Sequence, residues 1–192
     1  VDGVPVLAHV LRELAAAGSP HVTIVTGHLA DQVERLGGDG SGFGLELVYA
    51  RQDSPDGSAH AVAAARRGPP YLVLGADTVF APGTVAAFAE AFAASAAAGA
   101  VALEPRPGTV ELEEGRVTTL LGEGVLGAPL WAVGAPVHER LGLDEKPREL
   151  RSAFQRAIDA GEHVQGIGIA PTRGLTTPFD LLEQNFAYLD GL

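Results

Sequence analysis

The chain has 192 residues, of which 46% are hydrophobic and 19% are charged, with a net charge of −11 and no cysteine. This composition predicts a folded chain and excludes an intrinsically disordered segment, disulfide bonds and metal sites built from thiolates. It also argues against nonspecific binding of nucleic acid, which requires a basic surface. No apolar run reaches the ~20 residues that span a bilayer and no signal peptide is visible, so we expect no membrane partner and a cytoplasmic location.

The first half of the chain alternates between helical and strand patterns. Pro5 occupies a first helical position, and apolar residues then recur at helical spacing until Gly18. A β-branched run at 21–27 and an apolar run at 45–50 indicate two buried strands. The other elements predicted in this half are a helix over 29–36, a glycine-rich turn over 37–44, a helix over 59–67 and a strand over 71–75.

The second half interrupts that alternation. Its predicted elements are a helix over 82–98, short strands within 101–121 with turns at 105–108 and 113–116, a strand over 129–133, helices over 135–141 and 148–160, a strand over 164–170 and a helix over 178–189. Strands that alternate with helices predict an α/β fold, a three-layer α/β/α sandwich with a mixed, mainly parallel sheet. No linker stands out, so we expect residues 1–192 to form one domain.

The stretch from Gln52 to Asp77 is the strongest indication of a functional site. A Gly57–Ser58 turn opens a helix of small residues, and the strand that follows ends at Asp77. Ligands of open parallel sheets bind beyond the carboxyl ends of strands, where Asp77 is expected to lie. Unpaired N–H groups at the helix start would attract a phosphate or the edge of a base. Because the chain is acidic, a divalent cation or an arginine cluster would have to neutralise a phosphate-rich ligand.

Each of these residues also has a structural interpretation. Asp77 is of a type common in turns and helix caps, and Gln52 alone would be an ordinary loop residue. Ser58 has no His or Asp partner at a readable spacing, which argues against nucleophilic catalysis. The glycine-rich turn over 37–44 follows a helix and precedes a strand, the reverse of a phosphate loop, so we interpret it as a connection.

Four stretches of the chain carry a family resemblance, and they follow one another in the family's order. Gln52 with Gly57–Ala61 is similar to the pattern Q-x(4)-G-T-A-H-A, and Gly75–Thr78 is similar to G-D-T. Residues 1–36 look like a segment in which G-x-P leads the first helix, and residues 175–185 look like a closing I-x-T-P-E-D-L-L-E-A-N. Together they resemble the sugar-1-phosphate nucleotidylyltransferases, in particular the branch that transfers uridylyl and thymidylyl groups.

The resemblance implies a Rossmann-like nucleotidyltransferase fold and a defined reaction. An oxygen of a sugar-1-phosphate attacks the α-phosphorus of a nucleoside triphosphate, pyrophosphate leaves, and a nucleotide-sugar forms. It further implies that Gln52 binds the pyrimidine base, that Gly57 and Ser58 pack against base and ribose, and that Asp77 is the catalytic ligand of Mg²⁺. This chemistry depends on positioning and charge neutralisation more than on proton transfer.

The resemblance is incomplete at three places. The family's first strand, its G-x-G-T-R-L loop and the following lysine have no counterpart; we expect residues upstream of Val1 to supply them, the alternative being a degenerate relative. The family's sugar-phosphate lysine should fall at 120–124, which reads LLGEG, and the second metal ligand aligns with Gly174 or Thr176. These differences leave open a non-catalytic, ligand-sensing or partner subunit, and the alanine-rich segment 84–98 leaves open a homo-oligomer.

Overall fold

The computed structural model describes residues 3–54, 56–142 and 148–175. Its helices are α1 Val6–Ala16, α2 Ala30–Gly37, α3 Ser58–Ala64, α4 Thr84–Ala94, α5 Ala135–His138 and α6 Leu150–Asp159. Its strands are β1 His21–Thr26, β2 Glu46–Arg51, β3 Tyr71–Leu74, β4 Thr78–Val79, β5 Gly99–Gly108, β6 Glu111–Glu113, β7 Arg116–Thr119, β8 Gly124–Val133, β9 Val164–Gly168 and β10 Arg173–Gly174. Among these helices none has the length and apolar character that crossing a bilayer requires. The helix predicted over 178–189 lies outside the described residues.

The strands form a mixed sheet with two smaller ladders beside it. Six strands pair in the order β3-β8-β5-β9-β7-β6, while β1 pairs with β2 in parallel and β10 pairs with β4 in antiparallel orientation. Because β8 lies antiparallel between β3 and β5, and β9 is parallel to β5, the strands β3, β5 and β9 share one direction. Their carboxyl ends therefore meet at one edge of the sheet, which confirms the predicted α/β fold with a mixed sheet.

Helices cover both faces of the main sheet. Successive residues of β5 alternate between two hydrophobic clusters, with Ala100 and Ala102 in one and Val101 and Leu103 in the other. Side chains alternate between the faces of a strand, so the clusters lie on opposite faces. The first cluster contains buried residues of α1 and α4, and the second contains residues of α3, α5 and α6, which gives the predicted three layers.

The proline-rich end of β5 does not form the turn that the sequence predicts at 105–108. The strand continues to Gly108, with an irregular register between Glu104 and Pro107. A proline lacks the N–H that a strand ladder needs, but an irregularity in the register leaves room for it. A proline pair of this kind is therefore compatible with a continuous strand as well as with a turn.

Other element boundaries also differ from the predictions. The strand predicted at 129–133 begins five residues earlier, at Gly124, and the two-residue strands β4 and β10 were not predicted. The helix predicted to reach residue 98 ends at Ala94, because Ser95 takes an extended conformation and its hydroxyl donates to the Phe92 carbonyl at 2.7 Å. Serine competes with the helical backbone in this way through its side chain.

The packing of Phe154 against the sheet yields a stability prediction. Phe154 is fully buried, and its ring centroid lies 4.9 Å from that of Trp131. We expect Phe154→Ala to lower the free energy of unfolding by about 3–5 kcal/mol in urea titrations, since it leaves a cavity. The control Leu121→Ala, at a side chain that is 68% exposed, should change it by less than about 0.5 kcal/mol. Equal effects of the two substitutions would contradict this assignment of the core.

Tyr71, at the start of β3, yields a pH prediction. Its hydroxyl lies 2.8 Å from Nδ1 of His138, and burial raises the pKa of Tyr71 from 10.0 to about 12. Ionisation of this tyrosine is thus disfavoured only in the folded state, and its contribution to stability is complete below pH 10 and lost as the pH rises towards 12. In an alkaline titration of tyrosinate absorbance, Tyr71→Phe should remove a phase with a pKa of about 12. If that phase remains, the burial assigned to Tyr71 is wrong.

Candidate functional site

Asp77 follows the end of β3, as predicted. The Gly75 N–H donates to the Pro129 carbonyl of β8 at 2.9 Å, which fixes the strand end, and Asp77 itself is exposed. The Thr78 hydroxyl donates to Asp77 Oδ1 at 3.3 Å. A side chain on Gly75 would begin 3.1 Å from Asp77 Oδ1, so the glycine keeps the space beside the carboxylate open. The carboxylate is therefore accessible from solvent at the carboxyl edge of the sheet.

Gln52, which follows β2, is held inside the loop that the sequence singled out. Its Nε2 lies 3.3 Å from the Gly57 carbonyl and 2.9 Å from Nδ1 of His60. Both amide hydrogens are then donated, so Nδ1 of His60 accepts and its ring proton lies on Nε2. No described residue bonds to Gln52 Oε1. The structure thus brings Gln52, Gly57 and His60 together and leaves one amide oxygen of Gln52 as an available acceptor.

The first two N–H groups of α3, which the sequence suggested would be unpaired, are both donated to residues at the start of α6. The Ser58 N–H and hydroxyl both donate to Glu149 Oε2, at 3.3 and 2.6 Å, and the Ala59 N–H donates to the Arg148 carbonyl at 2.8 Å. In return, the Leu150 N–H donates to Ser58 Oγ at 2.8 Å. The starts of α3 and α6 therefore cap each other. This expectation was wrong because the partner lies 91 residues away in sequence.

Gly57 permits this close approach. Its φ is +102°, a region that glycine occupies readily, and a Cβ there would lie 2.4 Å from the Arg148 carbonyl oxygen. An ion pair between Arg148 Nη1 and Asp56 Oδ2, at 3.2 Å, also joins these two segments of the chain. Asp56 and Gly57 are consequently held against the start of α6.

The structure does not join Asp77 to the loop by direct contact. Among the described residues no hydrogen bond links Asp77 to Gln52, Gly57 or Ser58. The same residues contain no group of three or more His, Asp or Glu side chains that could hold a metal ion without other ligands. Gly174, one of two positions aligned with the family's second metal ligand, pairs with Thr78 beside Asp77 but has no side chain to offer. Thr176, the other position, lies outside the described residues.

A buried charged cluster near this edge was missed by the sequence analysis. Glu104 of β5 is 2% exposed; its Oε1 accepts from the Thr172 hydroxyl at 2.5 Å and its Oε2 pairs with Nη2 of Arg106. Arg106 Nη2 also lies 3.5 Å from the Thr172 carbonyl. A glutamate directly after the apolar run VAL at 101–103 was the available signal, since a charged residue within a buried strand needs a partner.

Segments of the chain are similar in sequence to known nucleotidyltransferases. A segment of 58 residues, 30% of the chain, is 47% identical to a glucose-1-phosphate thymidylyltransferase of Streptomyces antibioticus and covers 16% of it. A segment of 113 residues, 57% of the chain, is 36% identical to the CMP-5'-(3-aminopropyl)phosphonate synthase of Streptomyces rubellomurinus and covers 18% of it. Each match thus spans less than a fifth of the relative's own length.

A solved structure shows the same fold. A Bacillus anthracis protein assigned as a glucose-1-phosphate thymidylyltransferase, in complex with sucrose, superposes with a TM-score of 0.83 at 17% identity. The superposition covers 95% of this chain and 82% of that one. These similarities confirm the predicted resemblance and the Rossmann-like fold of nucleotidyltransferases. The sequence profile of the MobA-like NTP transferase domain matches residues 1–161, and the chain therefore belongs to that nucleotidyltransferase family.

Proposed function

We propose that this domain transfers a nucleotidyl group from a nucleoside triphosphate to a sugar-1-phosphate, with Mg²⁺ bound through Asp77. The exposed carboxylate of Asp77 beyond the end of β3 is the observation that carries the proposal. An oxygen of the acceptor phosphate attacks the α-phosphorus, the bond to the bridging oxygen of the β-phosphate breaks, and pyrophosphate leaves. The two substrates are those implied by the family and by the names of its relatives.

The residues present fit magnesium through one carboxylate. Mg²⁺ commonly retains several waters and binds one or two carboxylates together with phosphate oxygens, so it does not require a cage of protein ligands. Asp77 offers one accessible carboxylate, and the missing side chain at Gly75 keeps the adjacent space free. When bound, the ion would neutralise charge on the phosphates; Asp77 would hold it beside the reacting groups.

Gln52 supports recognition of a uracil or thymine base. Its amide hydrogens are used by Gly57 and His60, and its free Oε1 is an acceptor. Uracil and thymine present an N3–H donor, whereas cytosine presents an acceptor at the same position. The fixed orientation of the amide therefore favours the first two bases, because cytosine would leave two acceptors facing each other.

A second candidate function is binding without catalysis, as a ligand-sensing or partner subunit. The observation that favours it is Gly174, which lies in the ladder beside Asp77 and cannot supply a second carboxylate to the metal. A single carboxylate would hold Mg²⁺ only together with the phosphates. The two functions differ in whether pyrophosphate is released.

The first test is Asp77→Asn in an assay of pyrophosphate release from a panel of nucleoside triphosphates and sugar-1-phosphates. We expect the substitution to lower kcat about 100-fold or more, as removal of a group that stabilises transition-state charge does. The matched control is Glu90→Gln, at an exposed carboxylate of α4, which should leave kcat unchanged. Activity that survives Asp77→Asn would rule out the assignment, and wild-type protein that binds the triphosphate without releasing pyrophosphate would favour the second function.

The second test concerns the base. Wild-type protein should bind UTP or dTTP more tightly than CTP, and Gln52→Ala should weaken UTP binding about 3- to 10-fold while erasing the preference. Ser54→Ala, in the same exposed loop, is the control and should retain both. Titration calorimetry with Mg²⁺ present measures the affinities. An unchanged preference for UTP in Gln52→Ala would remove Gln52 from the base site.

A further inference from the structure

We propose that Arg106 binds the phosphate group of the acceptor substrate, at the carboxyl edge of the sheet on the β5 side of Asp77. The inference rests on the proposed function, because it assigns a second substrate group to the same site. It starts from a guanidinium group that a buried carboxylate holds in place and that still has donors to offer.

Glu104 determines where the Arg106 guanidinium lies. The Glu104 side chain is 1% exposed, and a buried carboxylate requires both a counter-charge and hydrogen-bond donors. Thr172 satisfies one of its oxygens and Arg106 satisfies the other. An arginine held in this way loses little further freedom when it binds a ligand, which favours binding.

The guanidinium is only partly used by these contacts. Its bonds to Glu104 and to the Thr172 carbonyl both involve Nη2, and the side chain is 50% exposed. Among the described residues no acceptor contacts Nε or Nη1 of Arg106. These two nitrogens retain N–H donors in the planar fork that matches the oxygens of a phosphate.

The fold brings this group to the same edge as Asp77. Leu74 of β3 pairs with Leu130, and Leu103 of β5 pairs with Gly127, so the two strand ends flank the same stretch of β8. The segment 172–175 also connects the two places: the Thr172 carbonyl contacts Arg106, and the Leu175 N–H donates to the Asp77 carbonyl at 2.9 Å. Three residues of extended chain span at most about 10 Å.

The order of the strands indicates which phosphate Arg106 would bind. Gln52, the base-binding candidate, follows β2, which pairs with β1 outside the main sheet. Asp77 follows β3, at the end of that sheet, and Arg106 lies on β5, two strands further in. A nucleotide whose base contacts Gln52 and whose α-phosphate reaches Asp77 leaves the β5 side to the acceptor. Because the chain carries a net charge of −11, a cation there would offset repulsion of the incoming phosphate.

Binding of inorganic phosphate and of α-glucose 1-phosphate tests this inference independently of turnover. In titration calorimetry on the full chain, Arg106→Ala should weaken binding of both ligands about tenfold to a hundredfold, as loss of charge-assisted hydrogen bonds does. Arg106→Lys should retain part of the affinity, and binding of UTP with Mg²⁺ should change little in either variant. Arg151→Ala, at an exposed arginine of α6, is the control.

A second variant separates binding from folding, since Arg106→Ala leaves Glu104 buried without a counter-charge. The double substitution Glu104→Gln with Arg106→Gln replaces the ion pair by a neutral hydrogen-bonded pair. We expect it to keep the thermal midpoint within a few degrees and to lose phosphate affinity to the same degree as Arg106→Ala.

Two results would overturn the inference: unchanged phosphate affinity in a folded double variant, or wild-type protein that binds neither phosphate ligand. Failure of the proposed function has a different signature, because wild-type protein would then bind glucose 1-phosphate through Arg106 and release no pyrophosphate. In an active enzyme, Arg106→Ala should raise the KM for the sugar-1-phosphate and leave the KM for the triphosphate unchanged. A rise in both constants would contradict a role confined to the acceptor.

Discussion

The antiparallel strand β8 is the constraint on which the geometry of the site depends. It pairs with β3 on one side and with β5 on the other, so both of those strands run in the same direction. Its Pro129 carbonyl accepts from Gly75, two residues before Asp77, and its Gly127 lies opposite Leu103, directly before Glu104. One strand thereby aligns two charged groups that are 27 positions apart in sequence. Without it, their strand ends would have no common edge.

The net charge of −11 bears on how this chain could bind a phosphate ligand. Under the proposed function, an acidic chain would need positive charge at a defined place to bind phosphates. The first two N–H groups of α3 are not available for this, because Glu149 and the Arg148 carbonyl already accept them. The reciprocal caps of α3 and α6 stabilise the fold and hold the Gln52 loop. Under the proposed function, a cation on Asp77 and the arginine paired with Glu104 would neutralise the ligand.

Local patterns were sufficient for much of the fold. The helix after Pro5, the strands at β1 and β2, and the loop that ends at Ser58 follow from apolar periodicity and from glycine and proline positions, which act over a few residues. The predictions failed where a distant partner decides the outcome. Prolines 105 and 107 suggested a turn, but pairing with β8 up to Gly108 keeps that segment a strand.

The amino-acid sequence by itself determined the α/β class, the family resemblance and the candidate residues Gln52, Gly57, Ser58 and Asp77, because each depends on residue type and local spacing. Only the tertiary structure decided what those residues contact. In the structure, Ser58 hydrogen-bonds to Glu149 and the amide hydrogens of Gln52 are donated to Gly57 and His60. Arg106 pairs with the buried carboxylate of Glu104, at the same edge of the sheet as Asp77. Hydrogen bonds between residues far apart in the chain leave no periodic signal, since their partners become neighbours only when the sheet forms.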